Sequence, residues 1–94
     1  MREYPKELVK SSVAQSTQII LWNCIKKSIN DKKVCKSKKL DDILNKMQDN
    51  QDFISYNNTI KLLESAANGT KFDFHGQSFY ITNEVADHTL KGLS

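Results

Sequence analysis

From Ile19 to Ile25 the chain reads Ile-Ile-Leu-Trp-Asn-Cys-Ile, and on a helix these apolar side chains cover most of the circumference. A helix that is apolar nearly all round has to be covered nearly all round. A chain of 94 residues builds one domain around one small core, so the cover has few sources. Later elements can wrap the segment. A second copy can cover one side, giving a homodimer whose interface holds Ile19, Leu21, Trp22 and Ile25. The third arrangement makes Thr17 to Ile25 partly a strand. The run is far shorter than the roughly 18 to 20 apolar residues that cross a bilayer, so no membrane partner is expected.

Helical periodicity surrounds this segment. Pro5 suits a first helical turn, and Val9, Val13, Ile20 and Cys24 repeat on one face, which predicts a long first helix from Pro5 to about Ile29. Ser37 then stands as an N-cap before Leu40, Ile43, Leu44 and Met47, with Asp41 and Asp42 in the first turn where the helix dipole favours anions. Gln48 to Asp52 reads as a turn. A third helix follows, with Phe53, Tyr56, Ile60, Leu63 and Ala67 on one stripe and Gly69 closing it in the left-handed conformation.

Beyond Gly69 the period changes. Lys71 to Phe74 alternates polar and apolar residues, His75-Gly76 makes a turn, and Gln77 to Thr82 supplies a second strand. Asn83 can cap a last helix carrying Val85, Thr89 and Leu90 and closed by Gly92. The expected fold is α+β and mainly helical: three helices, a β-hairpin and a short C-terminal helix.

Charge is divided along the chain. Residues 1 to 40 hold ten Lys or Arg against three acids, about +7, and residues 41 to 94 hold four against eight, about −4. The positive half peaks between residues 26 and 39, where Lys26, Lys27, Lys32, Lys33, Lys36, Lys38 and Lys39 face only Asp31. Seven like charges in fourteen residues repel one another, and an anionic partner relieves that repulsion. A solvated loop accounts for the same composition without a partner.

The stretch Ser55-Tyr56-Asn57-Asn58-Thr59-Ile60-Lys61-Leu62-Leu63-Glu64-Ser65-Ala66-Ala67-Asn68-Gly69 runs into Phe72-x-Phe74 and Phe79-Tyr80-Ile81. A capping Ser, a Thr-aliphatic pair, a Leu-Leu pair and a closing Gly before two strands resemble a winged helix-turn-helix domain over residues 38 to 82. The resemblance implies a recognition helix with Ser55, Asn57, Asn58 and Lys61 toward the major groove of duplex DNA, and His75 and Gln77 on the wing. Asn pairs bidentately with adenine, and Lys61 reaches guanine or phosphate.

Catalytic and metal chemistry find little support. Asp87 and His88 are adjacent on a helix and point about 100° apart, which does not make a dyad. The glycines at 69, 76 and 92 are isolated, so no phosphate loop is present. Cys24, Cys35, His75 and His88 lack the close spacing of a zinc finger. Cys24 and Cys35 read as two reduced thiols. The N-terminus, with Arg2, Glu3, Lys6, Glu7 and Lys10, has no apolar block of a secretory leader, which predicts a cytoplasmic location.

The expectation is therefore a non-enzymatic, cofactor-free DNA-binding regulator whose lysine segment contacts phosphates. The competing class is a protein-interaction module, such as a phage-encoded inhibitor, that meets an acidic protein surface through the lysines or an apolar groove through Ile19 to Ile25.

Overall fold

The computed structural model describes residues 13–74 and 76–93. Its element order is α1 (Gln15–Asp31), α2 (Lys38–Asp49), α3 (Phe53–Asn68), β1 (Lys71–Phe74), β2 (Gln77–Tyr80) and α4 (Asn83–Leu93). The fold is α+β and mainly helical, with a two-stranded antiparallel hairpin.

Helix α1 is the axis on which the rest is laid. It packs against α3 and α4 most extensively and against α2 along a shorter contact. Leu21, Trp22 and Ile25 are completely buried, beneath Leu62, Leu63 and Ala66 of α3, Phe72 of β1, and Ile81, Val85, Ala86 and Leu93 at and beyond the hairpin's exit. Side chains of this size contribute about 1.5 to 3 kcal/mol each on burial. Of the arrangements open to the apolar run, the first is realised: the later elements of the same chain wrap it, and it is helical throughout. Leu21, Trp22 and Ile25 are therefore core and not an intersubunit face, and Ile19 packs half-buried against that core.

The expected start at Pro5 is corrected at its C-terminal side. Ala14 is extended (ψ 147°), and α1 begins only at Gln15; the part from Pro5 to Ser12 lies outside the described residues. The local signal is a reversed one. Gln18, only 5% exposed, folds its amide back to donate 2.7 Å to the Val13 carbonyl, so the chain bends where no side chain caps the helix N-terminus.

Helix α2 follows its sequence closely. Ser37 Oγ accepts from the Leu40 amide at 3.1 Å, and Leu40, Ile43 and Met47 are buried. Its end turns through Gln51 at φ 59° into Asp52, whose carboxylate accepts from the Ser55 amide at 3.2 Å and starts α3. Buried Thr59 points its hydroxyl at Met47 Sδ, 3.9 Å away, joining α2 to α3.

The expected apolar stripe on α3 is rotated. Phe53 is 55% exposed, Tyr56 and Ile60 are half-buried, and the inner face is Ser55, Thr59, Leu62, Leu63, Ala66 and Ala67. Small residues bring α3 close to α1, and Phe53 sits in the first turn, past the end of what α3 covers. Gly69 closes the helix at φ 67°, and the Thr70 amide bonds back to the Ser65 carbonyl at 3.1 Å, a Schellman closure.

The hairpin pairs Lys71 with Tyr80, Phe72 with Phe79, Asp73 with Ser78 and Phe74 with Gln77, leaving a two-residue connection with Gly76 at φ 78°. Phe72 faces the core, its ring centroid 6.0 Å from that of Phe79. On the outer face Ser78 donates to Asp73, and Lys71 Nζ lies 5.7 Å from the Tyr80 ring centre. Strand β2 ends at Tyr80, two residues earlier than expected, because Ile81 turns into the core. Thr82, not Asn83, caps α4: its Oγ1 accepts from the Val85 amide at 3.3 Å. Asn83 instead donates to Asn30 of α1 at 3.1 Å, and the helix continues through Gly92 to Leu93.

Candidate nucleic-acid interface

The lysine segment occupies the last two turns of α1, the six residues from Lys32 to Ser37, and the first turn of α2. A chain of six residues reaches about 20 Å at most, which bounds the distance between the end of α1 and the start of α2. Their positions are fixed by two serines. Ser28, completely buried, donates from Oγ to the Cys24 carbonyl at 2.9 Å and accepts from the Cys35 amide at 2.9 Å. That relay ties the connection to α1, and Ser37 ties its other end to α2. Between these ties Lys32 takes the left-handed conformation at φ 57°, a place where glycine is more usual.

The seven lysines are not equivalent. Lys26 turns toward α4 and forms an ion pair with Asp87 at 2.5 Å, its side chain 34% exposed. Acid from the negative half thus neutralises one cation of the positive half within the same chain. Lys27, Lys32, Lys33, Lys36, Lys38 and Lys39 are exposed, and none forms an ion pair with a carboxylate among the described residues. Lys27 follows Lys26 on α1 and so points about 100° away from α4. Lys39 also borders a cleft of about 430 Å³ between α1 and α2, floored by Ile20, Ile43 and Met47.

The residues implied by the helix-turn-helix resemblance are carried by α3 and the hairpin, not by the elements that hold the lysines. Asn57 and Lys61 are exposed on one stripe of α3 with Glu64, and Asn58 is half-buried. Ser55 faces inward, 9% exposed, and does not belong to an outer recognition surface. Gln77 is exposed on β2, and His75 lies outside the described residues.

Sequence reasoning missed the Lys26–Asp87 pair, whose partners are 61 positions apart, and the role of Ser28, which looks like any helix serine until Cys35 meets it. It also missed the exposed pair Phe53 and Ile54, at 55% and 76%. Burial of the Cys24 thiol raises its pKa above the ordinary 9.0, a rise that the Ser37 hydroxyl and the Lys27 charge only partly oppose. Among the described residues no group of three or more His, Cys, Asp and Glu gathers where a metal ion could be held, and no helix is long and apolar enough to cross a membrane.

In comparisons with known proteins, no family model matches the chain, and neither a curated protein nor a solved structure matches it. The functional reading rests on the geometry alone.

Proposed function

We propose that the protein is a small, non-enzymatic nucleic-acid-binding regulator that contacts DNA phosphates through Lys27, Lys32, Lys33, Lys36, Lys38 and Lys39. The observation that carries the reading is the absence of carboxylate partners for these six exposed cations among the described residues, while Lys26 has one. Unneutralised ammonium groups crowded onto one connection make a local positive potential that attracts a polyanion and releases its counterions on binding. The order helix, turn, helix, hairpin supports a duplex of winged-helix type as the target, with Asn57, Asn58 and Lys61 on the helix that would face the bases.

A second reading has its own observation. Phe53 and Ile54 stand exposed side by side at the start of α3, and exposed apolar side chains of this size suit a protein-docking module, with an acidic partner surface for the lysines. A mobility-shift titration against mixed duplex DNA at low and moderate salt separates the two. A complex that weakens steeply with salt supports the first reading. No shift at low salt removes it and leaves the docking module.

A further inference from the structure

We propose that Cys24 and Cys35 are a reversible modification site: they close into an intramolecular disulfide when the folded protein meets a low-molecular-weight disulfide such as oxidised glutathione. This chemistry is independent of what the lysines bind.

The two cysteines are eleven positions apart in sequence and adjacent in the fold. Ser28 Oγ bonds to the backbone of both, at 2.9 Å to the Cys24 carbonyl and 2.9 Å to the Cys35 amide. Cys24 Sγ lies 3.9 Å from Ser37 Oγ, two residues beyond Cys35, and both cysteines belong to the same buried cluster. Both thiols are free, at 9% and 7% exposure. The shared Ser28 hydroxyl holds the two backbones within a few ångströms of each other, the proximity a bridge requires.

Access runs through the connection. Val34 and Lys36 on either side of Cys35 are exposed, and among the described residues the one backbone tie of residues 33 to 36 is the Cys35 amide to Ser28. A segment held by so little opens locally without global unfolding. Cys35 therefore reacts first and Cys24, in the helix and with its thiol pKa raised by burial, completes the bridge.

The steps balance. Cys35 loses its proton and its thiolate attacks one sulfur of the small disulfide; that sulfur–sulfur bond breaks, and the expelled glutathione thiolate takes up a proton. Cys24, deprotonated in turn, attacks the Cys35 sulfur of the mixed disulfide and expels the second glutathione, which is likewise protonated. The protein loses two protons and two electrons, and one glutathione disulfide becomes two glutathiones. The bridge closes a ring containing Lys26, Lys27, Lys32 and Lys33, so oxidation fastens the cationic connection to α1.

The test treats the folded full-length chain with oxidised glutathione at pH 8, quenches with acid, alkylates and measures intact mass and tryptic peptides. The expected product is a monomer lighter by two hydrogens, not alkylated, restored by dithiothreitol, and yielding residues 11–26 linked to residues 34–36. Cys24→Ser is expected to stop at a glutathione adduct on Cys35, and Cys35→Ser to react at least tenfold more slowly than the wild type. Thiols that stay alkylatable in excess oxidant, a lasting glutathione adduct on the wild type, or a disulfide-linked dimer would each overturn the proposal. So would reaction seen only in urea. The peptide map of the wild type decides even if a variant fails to fold.

Discussion

At the scale of single residues, Ser28 carries more than its size suggests. Its hydroxyl satisfies a buried backbone amide on a connection that otherwise has little holding it. Ser28→Ala leaves the Cys35 N–H without an acceptor, and a buried unsatisfied donor costs about 1 to 3 kcal/mol. Urea denaturation is expected to show a loss of that order, and Ser28→Thr is no substitute because its methyl enters a fully buried site. Cys24 gives a second expectation. Burial favours its neutral thiol, so the folded pKa lies above the ordinary 9.0 and the unfolded chain releases that proton first as pH rises. The stabilisation is complete below about pH 9 and is lost as pH climbs from there toward the folded value. Denaturation midpoints measured from pH 7 to pH 10.5 should fall more steeply for the wild type than for Cys24→Ala; parallel curves would contradict it. Trp22, wholly buried, keeps an indole N–H with no partner among the described residues.

At the scale of elements, the ends of helices decide where the lysines stand. Ser37 begins α2 and thereby fixes Lys38 and Lys39 in its first turn. Ser37→Ala is expected to cost about 1 kcal/mol in a thermal or urea melt, the usual value of a lost N-cap. Ile54→Ser, on the open face of α3, should shift stability by less than about 0.5 kcal/mol. Helix α2 could be read directly from its sequence because cap, dipole and apolar spacing all agreed locally. Gly69 and the hairpin were legible for the same reason: each is dictated by backbone geometry within a few residues. The start of α1 was not, since no side chain caps Ala14 and the local contact there is Gln18 donating to the Val13 carbonyl. Nor was the rotation of α3, because Thr59 and Ser55 are inward only by virtue of what α1 and α2 bring against them.

At the scale of the whole molecule, the two charged halves of the sequence meet at Lys26 and Asp87. One ion pair, Lys26 with Asp87, links the two halves among the described residues, and an exposed pair of this kind contributes at most about 1 kcal/mol. The remaining cations of the strip set the scale of salt dependence. Each phosphate contact contributes about −0.9 to the slope of log affinity against log salt on duplex DNA, so full use of six lysines gives a slope near −5. Neutralising Lys32, Lys33 and Lys36 to Ala together is expected to reduce its magnitude by roughly half and weaken binding at low salt, whereas Lys26→Ala should change it little. Equal effects from both would mean that the strip is not the contact surface. The position of this strip was legible in the sequence, but which lysine is diverted required the fold, since Asp87 arrives from the opposite end of the chain.

The central place of α1 also bears on how the protein is made. Leu21, Trp22 and Ile25 leave the ribosome long before Val85 and Leu93, the residues that roof them, have been translated. During that interval the nascent chain shows its greasiest surface to its surroundings, and native burial waits until α4 has emerged. Removing α4 would leave that surface bare after synthesis as well, the kind of exposed apolar face that leads to aggregation.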